Sequence, residues 1–202
     1  MTDATSRVVV AVLTALIAPI CVILVKARIM KARRTRGQIT CDALVATQEL
    51  TSALNTLRVD VKADHALILK AENNGGVPSP GSLVFASVVY ETFGDQAESV
   101  RRSWLRSLLD HQYCELLGEL AIGRSLKIGT ADLKPGILRD FCISYGIAQT
   151  EANAIHARHD GFFYLFLHYG DATKTEGTPK HRDRVRQGLL QMRDIIQRWD
   201  DR

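Results

Sequence analysis

Histidine and cysteine are the residues of this chain best suited to metal binding or nucleophilic catalysis, so their spacing is the first test of chemistry. His111 and Cys114 stand three residues apart in a helical pattern and would project from one face. A structural zinc site needs four ligands, and the nearby Asp110, Glu115 and Glu119 do not form an identifiable second pair at that point. We interpret this group as the polar end of a helix and predict no metal site there.

Three further histidines surround a second chemically plausible position, the end of a predicted hairpin. His156 and His159 are three residues apart, so along a strand they would point to opposite faces. His159 also falls in the predicted turn, while His168 lies on the returning strand. This spacing does not favour a metal site either.

Signatures of catalysis are absent from the sequence. It contains no G-x-x-x-x-G-K-[ST], G-x-G-x-x-G, G-x-S-x-G or H-E-x-x-H motif. Cys114 and Cys142 could act as nucleophiles, but no histidine is placed beside either one by a known pattern. The sequence therefore predicts a protein that is not an enzyme, with no catalytic residues and no cofactor.

The stretch FFYLFLHYG from Phe162 to Gly170 is the best candidate for the wall of a ligand pocket. Its alternate residues are apolar on both faces, so a strand here must be covered on both sides. One face adds polar tips to its aromatic rings, and on it we identify Tyr164, Phe166 and His168 as ligand-pocket candidates. Ordinary core packing is the alternative interpretation of the same face.

The elements that must position these residues follow from periodicity. HALILKAE (His65–Glu72) and SLVFASVVYE (Ser82–Glu91) are predicted to be paired strands, and SLKIGT (Ser125–Thr130) a short one. Asp95 and Glu98 resemble a capping box, which predicts one long helix running from there towards Leu120. Asp-Gly between ANAIHAR and FFYLFLHYG predicts a hairpin, and a brief helix after Pro135 precedes it.

Two terminal helices carry matching apolar seams. Apolar residues recur at steps of four and three from Ile39 to Leu57, and again along the helix that Thr178 and Pro179 open. Such narrow seams fit packing on a common body, on each other, or across a dimer axis. The seam candidates are Leu50, Leu57, Val185, Leu189, Met192, Ile196 and Trp199.

An uncharged run of eighteen residues, VVVAVLTALIAPICVILV, occupies the region between Arg7 and Lys26. As a helix it would cover about 27 Å, close to the roughly 30 Å hydrocarbon core of a bilayer. The cations behind it predict a single-pass inner-membrane anchor with the N-terminus outside and the remaining chain cytoplasmic, where anionic headgroups would meet them. This basic cluster is Lys26, Arg28, Lys31, Arg33, Arg34 and Arg36.

The basic pI of about 9.0 does not indicate nucleic-acid binding, because the excess charge is confined to this end of the chain. From Gly37 onwards there are 19 Lys and Arg against 21 Asp and Glu, a net charge of −2. A basic footprint spread over a folded face is therefore not expected. We predict an anchor with its basic segment over residues 1–36 and one α+β domain over residues 37–202.

The order helix, two strands, helical insert, strand, short helix, two strands and closing helix resembles that of GAF domains. The resemblance covers about Gln38 to Arg202 and depends on this order and on the FFYLFLHYG strand before a final helix. It implies a central antiparallel sheet of five or six strands that buries one face under the terminal helices and walls a pocket with the other. A PAS-like or another α+β sheet is the alternative.

This resemblance also implies a sensory or adaptor module that dimerises through its first and last helices. Bilin-binding members carry a cysteine commonly followed by histidine, whereas Cys114 precedes Glu115 and Cys142 precedes Ile143, so no chromophore adduct is expected. The N-K-F-D-E set of cyclic-nucleotide-binding members is absent as well. We expect a regulatory adaptor that acts through a small molecule or a protein partner; the alternative is a non-catalytic scaffold of a membrane complex.

Overall fold

The computed structural model describes residues 43–73, 83–104, 107–109, 111–158, 161–175 and 177–200. A compact unit begins at Ala46, and the preceding unit, Met1–Val45, is described only over its last three residues. The predicted anchor and its basic cluster lie outside the described residues. Among the residues that are described, no helix is both long and apolar enough to cross a membrane.

Six strands of the described chain form one sheet in which every neighbouring pair is antiparallel. Their order is β3-β2-β1-β6-β5-β4, so the first long strand and the last lie side by side at the centre. This central position explains why the FFYLFLHYG strand is apolar on both faces. The strands are β1 (His65–Glu72), β2 (Phe85–Phe93), β3 (Ser107–Leu108), β4 (Leu126–Gly129), β5 (Gln149–Arg158) and β6 (Gly161–Tyr169).

Helices cover both faces of this sheet. Helix α1 spans residues 43–61, α2 His111–Ala121, α3 Ile137–Ser144 and α4 Pro179–Asp200. The predicted start of the closing helix is confirmed, because the Thr178 hydroxyl accepts a hydrogen bond from the His181 amide at 3.2 Å. Gly146, with a φ of 62°, follows the end of α3. The predicted pairing of β1 with β2 and the β5–β6 hairpin are also observed, the latter with Arg158 opposite Gly161.

The seam residues of the terminal helices pack on the body of the domain. They form one core with the face of β1 and β6 that carries Ala66, Ile68 and Leu165. These are the first two of the three arrangements that the seams allow, because the Leu57 side chain of α1 also packs against Gly188 of α4. Use of the seams in a dimer stays a prediction. Two of the seven, Leu189 and Trp199, are partly buried. The other five are buried: Leu50, Leu57, Val185, Met192 and Ile196.

The long central helix predicted from Asp95 onwards is wrong. The Glu91 carboxylate accepts hydrogen bonds from the Val100 amide at 2.8 Å and the Ser99 hydroxyl at 2.7 Å, which holds this segment in a turn. Ser107–Leu108 then pairs with the start of β2 as an edge strand, and the helix begins only at His111. Contacts with β2 thus override the local helical pattern.

Two glycines of the domain provide a matched test of these backbone assignments. Gly161 at the start of β6 has a φ of 151°, and a Cβ there would lie 2.6 Å from the carbonyl oxygen of Ala71. We expect Gly161→Ala to lower the free energy of unfolding by about 2 kcal/mol. Gly118 lies in α2 with open space around it, so Gly118→Ala should instead raise that free energy by about 0.5–1 kcal/mol. Urea titration measures both; equal effects of the two substitutions would contradict the hairpin geometry.

Candidate functional site

A cavity lies on the sheet face that the terminal helices leave uncovered, beneath α2 and α3. Its floor comes from β1, β2, β4, β5 and β6, and its roof from the two short helices and the segment between β4 and α3. Thr150, Cys142 and His168 supply polar atoms at one end. The other lining residues are apolar or aromatic: Leu67, Leu69, Val88, Tyr113, Leu116, Ile128, Leu133, Leu138, Phe141 and Phe166.

The cavity is nearly filled by its own walls. The space between the walls is about 400 Å³ when the open mouth is counted, but only about 20 Å³ is open to the centre of a water molecule. The smaller value decides what fits, because a single water needs at least about 10–15 Å³ on that measure. In this conformation the site holds one water-sized group, and a larger ligand requires roof side chains to move.

Two threonines position the thiol at the polar end. Burial raises the pKa of Cys142, although hydrogen bonds with the Thr130 and Thr150 side chains act in the opposite direction. The Thr130 hydroxyl also donates to the carbonyl oxygen of Ile147 at 2.5 Å. A raised pKa favours the protonated thiol at neutral pH, and in that form Cys142 is a weak hydrogen-bond donor packed in the lining.

Two buried imidazoles lie next to each other at His168, which shares the cavity lining with Cys142. His168 on β6 is paired in register with His65 on β1, and their ring centroids are 6.1 Å apart in an edge-on arrangement. Both nitrogens of His65 and the Nδ1 of His168 are buried without a hydrogen-bond partner. Each such nitrogen costs roughly 1–3 kcal/mol, so this arrangement calls for an explanation beyond packing.

Desolvation keeps both rings neutral. Burial lowers the pKa of His168 to about 3, and the neighbouring His65 contributes to that shift. Burial also lowers the pKa of His65; Glu91 and Asp64 act to raise it, and Arg58 acts to lower it further. A neutral imidazole offers one donor and one acceptor, so the pair can exchange hydrogen bonds with a bound group.

Acid stability tests this neutrality. An unfolded histidine takes up a proton near its ordinary pKa of 6.5, whereas His168 in the folded protein does so only near pH 3. The unfolded state thus binds more protons in between, and stability falls as the pH is lowered from about 6.5 towards 3. We expect a slope of up to about 1.4 kcal/mol per pH unit from this residue, which His168→Phe removes.

The matched control is His111→Phe, since the His111 side chain is 89% exposed. Urea titrations between pH 4.5 and 6.5 avoid the range in which carboxylates dominate. Burial acts to raise the pKa of Asp64, but the Gly170 amide and the Lys174 ammonium together lower it, so its contribution to stability is lost only at more acidic pH. An unchanged slope in His168→Phe would mean that His168 is protonated in the folded protein.

The structure places the three sequence-predicted pocket candidates on the face that carries the cavity. Phe166 and His168 line it. Tyr164 lies in the surrounding core, where its hydroxyl donates to the carbonyl oxygen of Leu117 at 3.4 Å and burial raises its pKa to about 12. Whether these residues contact a ligand stays a prediction.

His65, Cys142 and Thr150 are cavity or near-cavity residues that sequence reasoning did not select. They come from β1, α3 and β5, which meet only in the folded sheet. The alternation of β1 puts His65 on the same face as Leu67 and Leu69, and this was the available signal. No comparable signal marks Thr150, because the predicted strand ANAIHAR begins two residues after it, at Ala152.

The remaining histidine and cysteine positions do not come together as a site. His111 Nε2 lies 3.1 Å from a Glu115 carboxylate oxygen at the surface, and Cys114 packs at the edge of the core. His156 is half-buried on β5, and His159 lies outside the described residues. Over the described ranges, no group of three or more His, Cys, Asp or Glu side chains could hold a metal ion.

The other sheet face carries a buried polar pair that the sequence did not reveal. His181 Nε2 and Glu151 Oε2 are 2.7 Å apart, and the two side chains are only 7% and 4% exposed. Tyr169 lies beside them, with its ring centroid 6.5 Å from that of His181. This pair attaches the first turn of α4 to β5.

Comparison with solved structures identifies the fold. The chain is similar to a far-red cyanobacteriochrome photoreceptor, with a TM-score of 0.57 and 12% identity over 83% of this chain and 97% of that one. It is also similar to the phycoerythrobilin-bound GAF domain of a cyanobacterial phytochrome, with a TM-score of 0.55 and 12% identity over 83% of this chain and 93% of that one. A third similar structure is the GAF domain of a two-component sensor histidine kinase from Bacillus halodurans, with a TM-score of 0.55 and 7% identity over 76% of this chain and 94% of that one.

These likenesses show a GAF-like α+β fold, which decides between the GAF-like and PAS-like alternatives, and at such identities they show the fold alone. No protein-family model matches the sequence, and no curated protein matches it either.

Proposed function

We propose that this chain is a membrane-anchored sensory or regulatory adaptor whose GAF-like domain binds a small molecule in the cavity beneath α2 and α3. The observation that carries the proposal is the cavity lining, in which apolar side chains surround His168, a residue whose Nδ1 is buried without a hydrogen-bond partner. Sites for small molecules combine an apolar wall with a few such polar groups. Catalysis is not part of the proposal, because burial raises the pKa of the Cys142 thiol and so does not activate it as a nucleophile.

The sheet offers a direct path from this cavity to the closing helix. Thr150 lines the cavity on one face, and its neighbour Glu151 binds His181 of α4 on the other. His168 and Tyr169 repeat this arrangement on the adjacent strand, because successive residues of a strand point to opposite faces. A ligand that shifts β5 would thereby alter the docking of the first turn of α4, which would report occupancy to a partner.

The N-terminal segment supplies the location in this proposal. The uncharged Val8–Val25 run would span the inner membrane once, and the six cations that follow would contact anionic headgroups on the cytoplasmic side. The domain would act in the cytoplasm as a homodimer or with a protein partner, and without nucleic acid. Fusing a reporter that is active only outside the cytoplasm after Arg202 tests this topology, and strong activity would contradict it.

Ligand binding is tested by thermal unfolding of the full-length chain against a library of small metabolites. A ligand of the folded state raises the unfolding temperature by mass action. Leu138→Phe places a larger side chain at the 8% exposed edge of the cavity and should abolish the shift. Leu190→Phe makes the same change on the exposed side of α4, where Leu190 is 55% exposed, and should leave the shift intact.

The second candidate function is a non-catalytic scaffold of a membrane complex, and the small free volume of the cavity favours it. If the chain is a scaffold, the full-length protein should self-associate. No compound should then stabilise it in a way that Leu138→Phe abolishes. That pair of results would overturn the sensory proposal.

A further inference from the structure

The wall of the cavity carries no formal charge. None of its thirteen lining residues is Asp, Glu, Lys or Arg. An ion transferred into such a site would lose its hydration without gaining a counter-charge. The site therefore selects against phosphates, carboxylates and ammonium groups, whatever their shape.

At the polar end of the cavity, some side chains already have hydrogen-bond partners and others have none. The Thr150 side chain is already engaged with the Cys142 thiol. His168 contributes a ring to the lining, yet its Nδ1 is buried without a partner. His65 behind it has two nitrogens in the same condition, and the two rings do not hydrogen-bond to each other.

Aromatic rings surround His168 on its other sides. The Phe141 ring centroid is 6.1 Å from that of His168, and the Phe166 centroid is 6.2 Å away. Phe141 belongs to α3, an eight-residue helix in the roof, so displacement of this ring would open space next to the imidazole. Flat apolar molecules stack favourably among such rings.

From these observations we infer that the cavity takes a small, neutral, ring-containing molecule with one hydroxyl or ring N–H group, which hydrogen-bonds to His168. This inference rests on the proposed function and adds the chemical class of the ligand. The apolar ring would replace Phe141 against the wall, and its polar group would satisfy the imidazole nitrogen that the protein leaves unpaired.

Phenol, toluene and benzoate test the inference because they share one ring and differ in polar group. We expect phenol to bind the full-length protein at least about tenfold more tightly than toluene at equal free aqueous concentration, and benzoate not to bind, because a satisfied buried polar group gains about that factor. His168→Phe should reduce the preference for phenol over toluene to within about threefold. His156→Phe, a change of the same type at a half-buried position outside the cavity lining, should preserve it.

Two further measurements keep the test decisive. Leu138→Ala enlarges the cavity, so both neutral probes should bind more tightly while the preference for phenol persists. If His168→Phe does not fold, the ring-nitrogen NMR shifts of His168 in the unmodified protein serve instead, and they should respond to phenol and not to toluene.

Equal binding of phenol and toluene, or a preference that does not depend on His168, would overturn this inference and leave the small-molecule function standing. Toluene binding that Leu138→Phe abolishes would show in that case that the cavity is usable. The inference and the proposed function fail together if no probe and no library compound stabilises the protein in a way that Leu138→Phe abolishes.

Discussion

Glu151→Ala is expected to lower the free energy of unfolding by about 3–5 kcal/mol, one of the two largest effects of any substitution considered for this domain. Glu151 and His181 are both nearly fully buried, so removal of the carboxylate leaves the His181 ring nitrogen without its partner in a dry environment. Since whole domains are stable by only about 5–15 kcal/mol, the loss should be evident in a urea titration at neutral pH.

Glu49→Ala is the matched control, because it removes the same carboxylate from an exposed pair. Glu49 lies 3.1 Å from Arg198, and these side chains are 43% and 53% exposed. Exposed pairs contribute less than about 1 kcal/mol. A loss from Glu151→Ala no larger than that from Glu49→Ala would contradict the buried arrangement.

A double substitution separates desolvation from attraction in the buried pair. When Glu151→Leu is combined with His181→Leu, neither position retains an unpaired polar atom, and apolar replacement of a buried pair is often neutral. We therefore expect the double variant to recover most of the stability that either single change loses. Failure to recover would mean that the pair is specifically required for the docking of α4.

The sequence predicted the central strands and the start of α4 well because local chemistry determines them. The apolar run of β1, the Asp-Gly signal for the β5–β6 hairpin and the Thr178–Pro179 start of α4 each depend on a few neighbouring residues. The region from Asp95 to Leu108 was predicted wrongly because its conformation depends on Glu91 and on pairing with β2. Such contacts between distant segments leave no periodic signal in a single sequence.

The same distinction explains the candidate site. Phe166 and His168 could be selected because one strand contains both and shows its two faces by alternation. Thr150 and Cys142 join them only through sheet order and the docking of α3, neither of which the sequence reports. His181 was missed for a different reason: it stands four residues before Val185 on the buried seam, but nothing in the sequence around it indicates a carboxylate partner on another strand.

Phe166→Ala is the second substitution with a large expected effect. Phe166 is 2% exposed, and its ring stacks on Tyr113 with centroids 6.2 Å apart, so removal of the ring creates a void between β6 and α2. Loss of a buried phenyl group costs about 3–5 kcal/mol, because the transfer free energy and the cavity term add. The measurement is again the free energy of unfolding in urea.

Phe93→Ala removes the same group at the end of β2, where Phe93 is 43% exposed, and should cost about 1 kcal/mol. The void in Phe166→Ala would join an apolar cavity, and engineered apolar cavities bind benzene. Benzene should therefore raise the unfolding temperature of Phe166→Ala by more than it raises that of the unmodified protein or of Phe93→Ala. If benzene raises all three equally, the side chain of Phe166 does not border the cavity; a cost no greater than that of Phe93→Ala would place it outside the core.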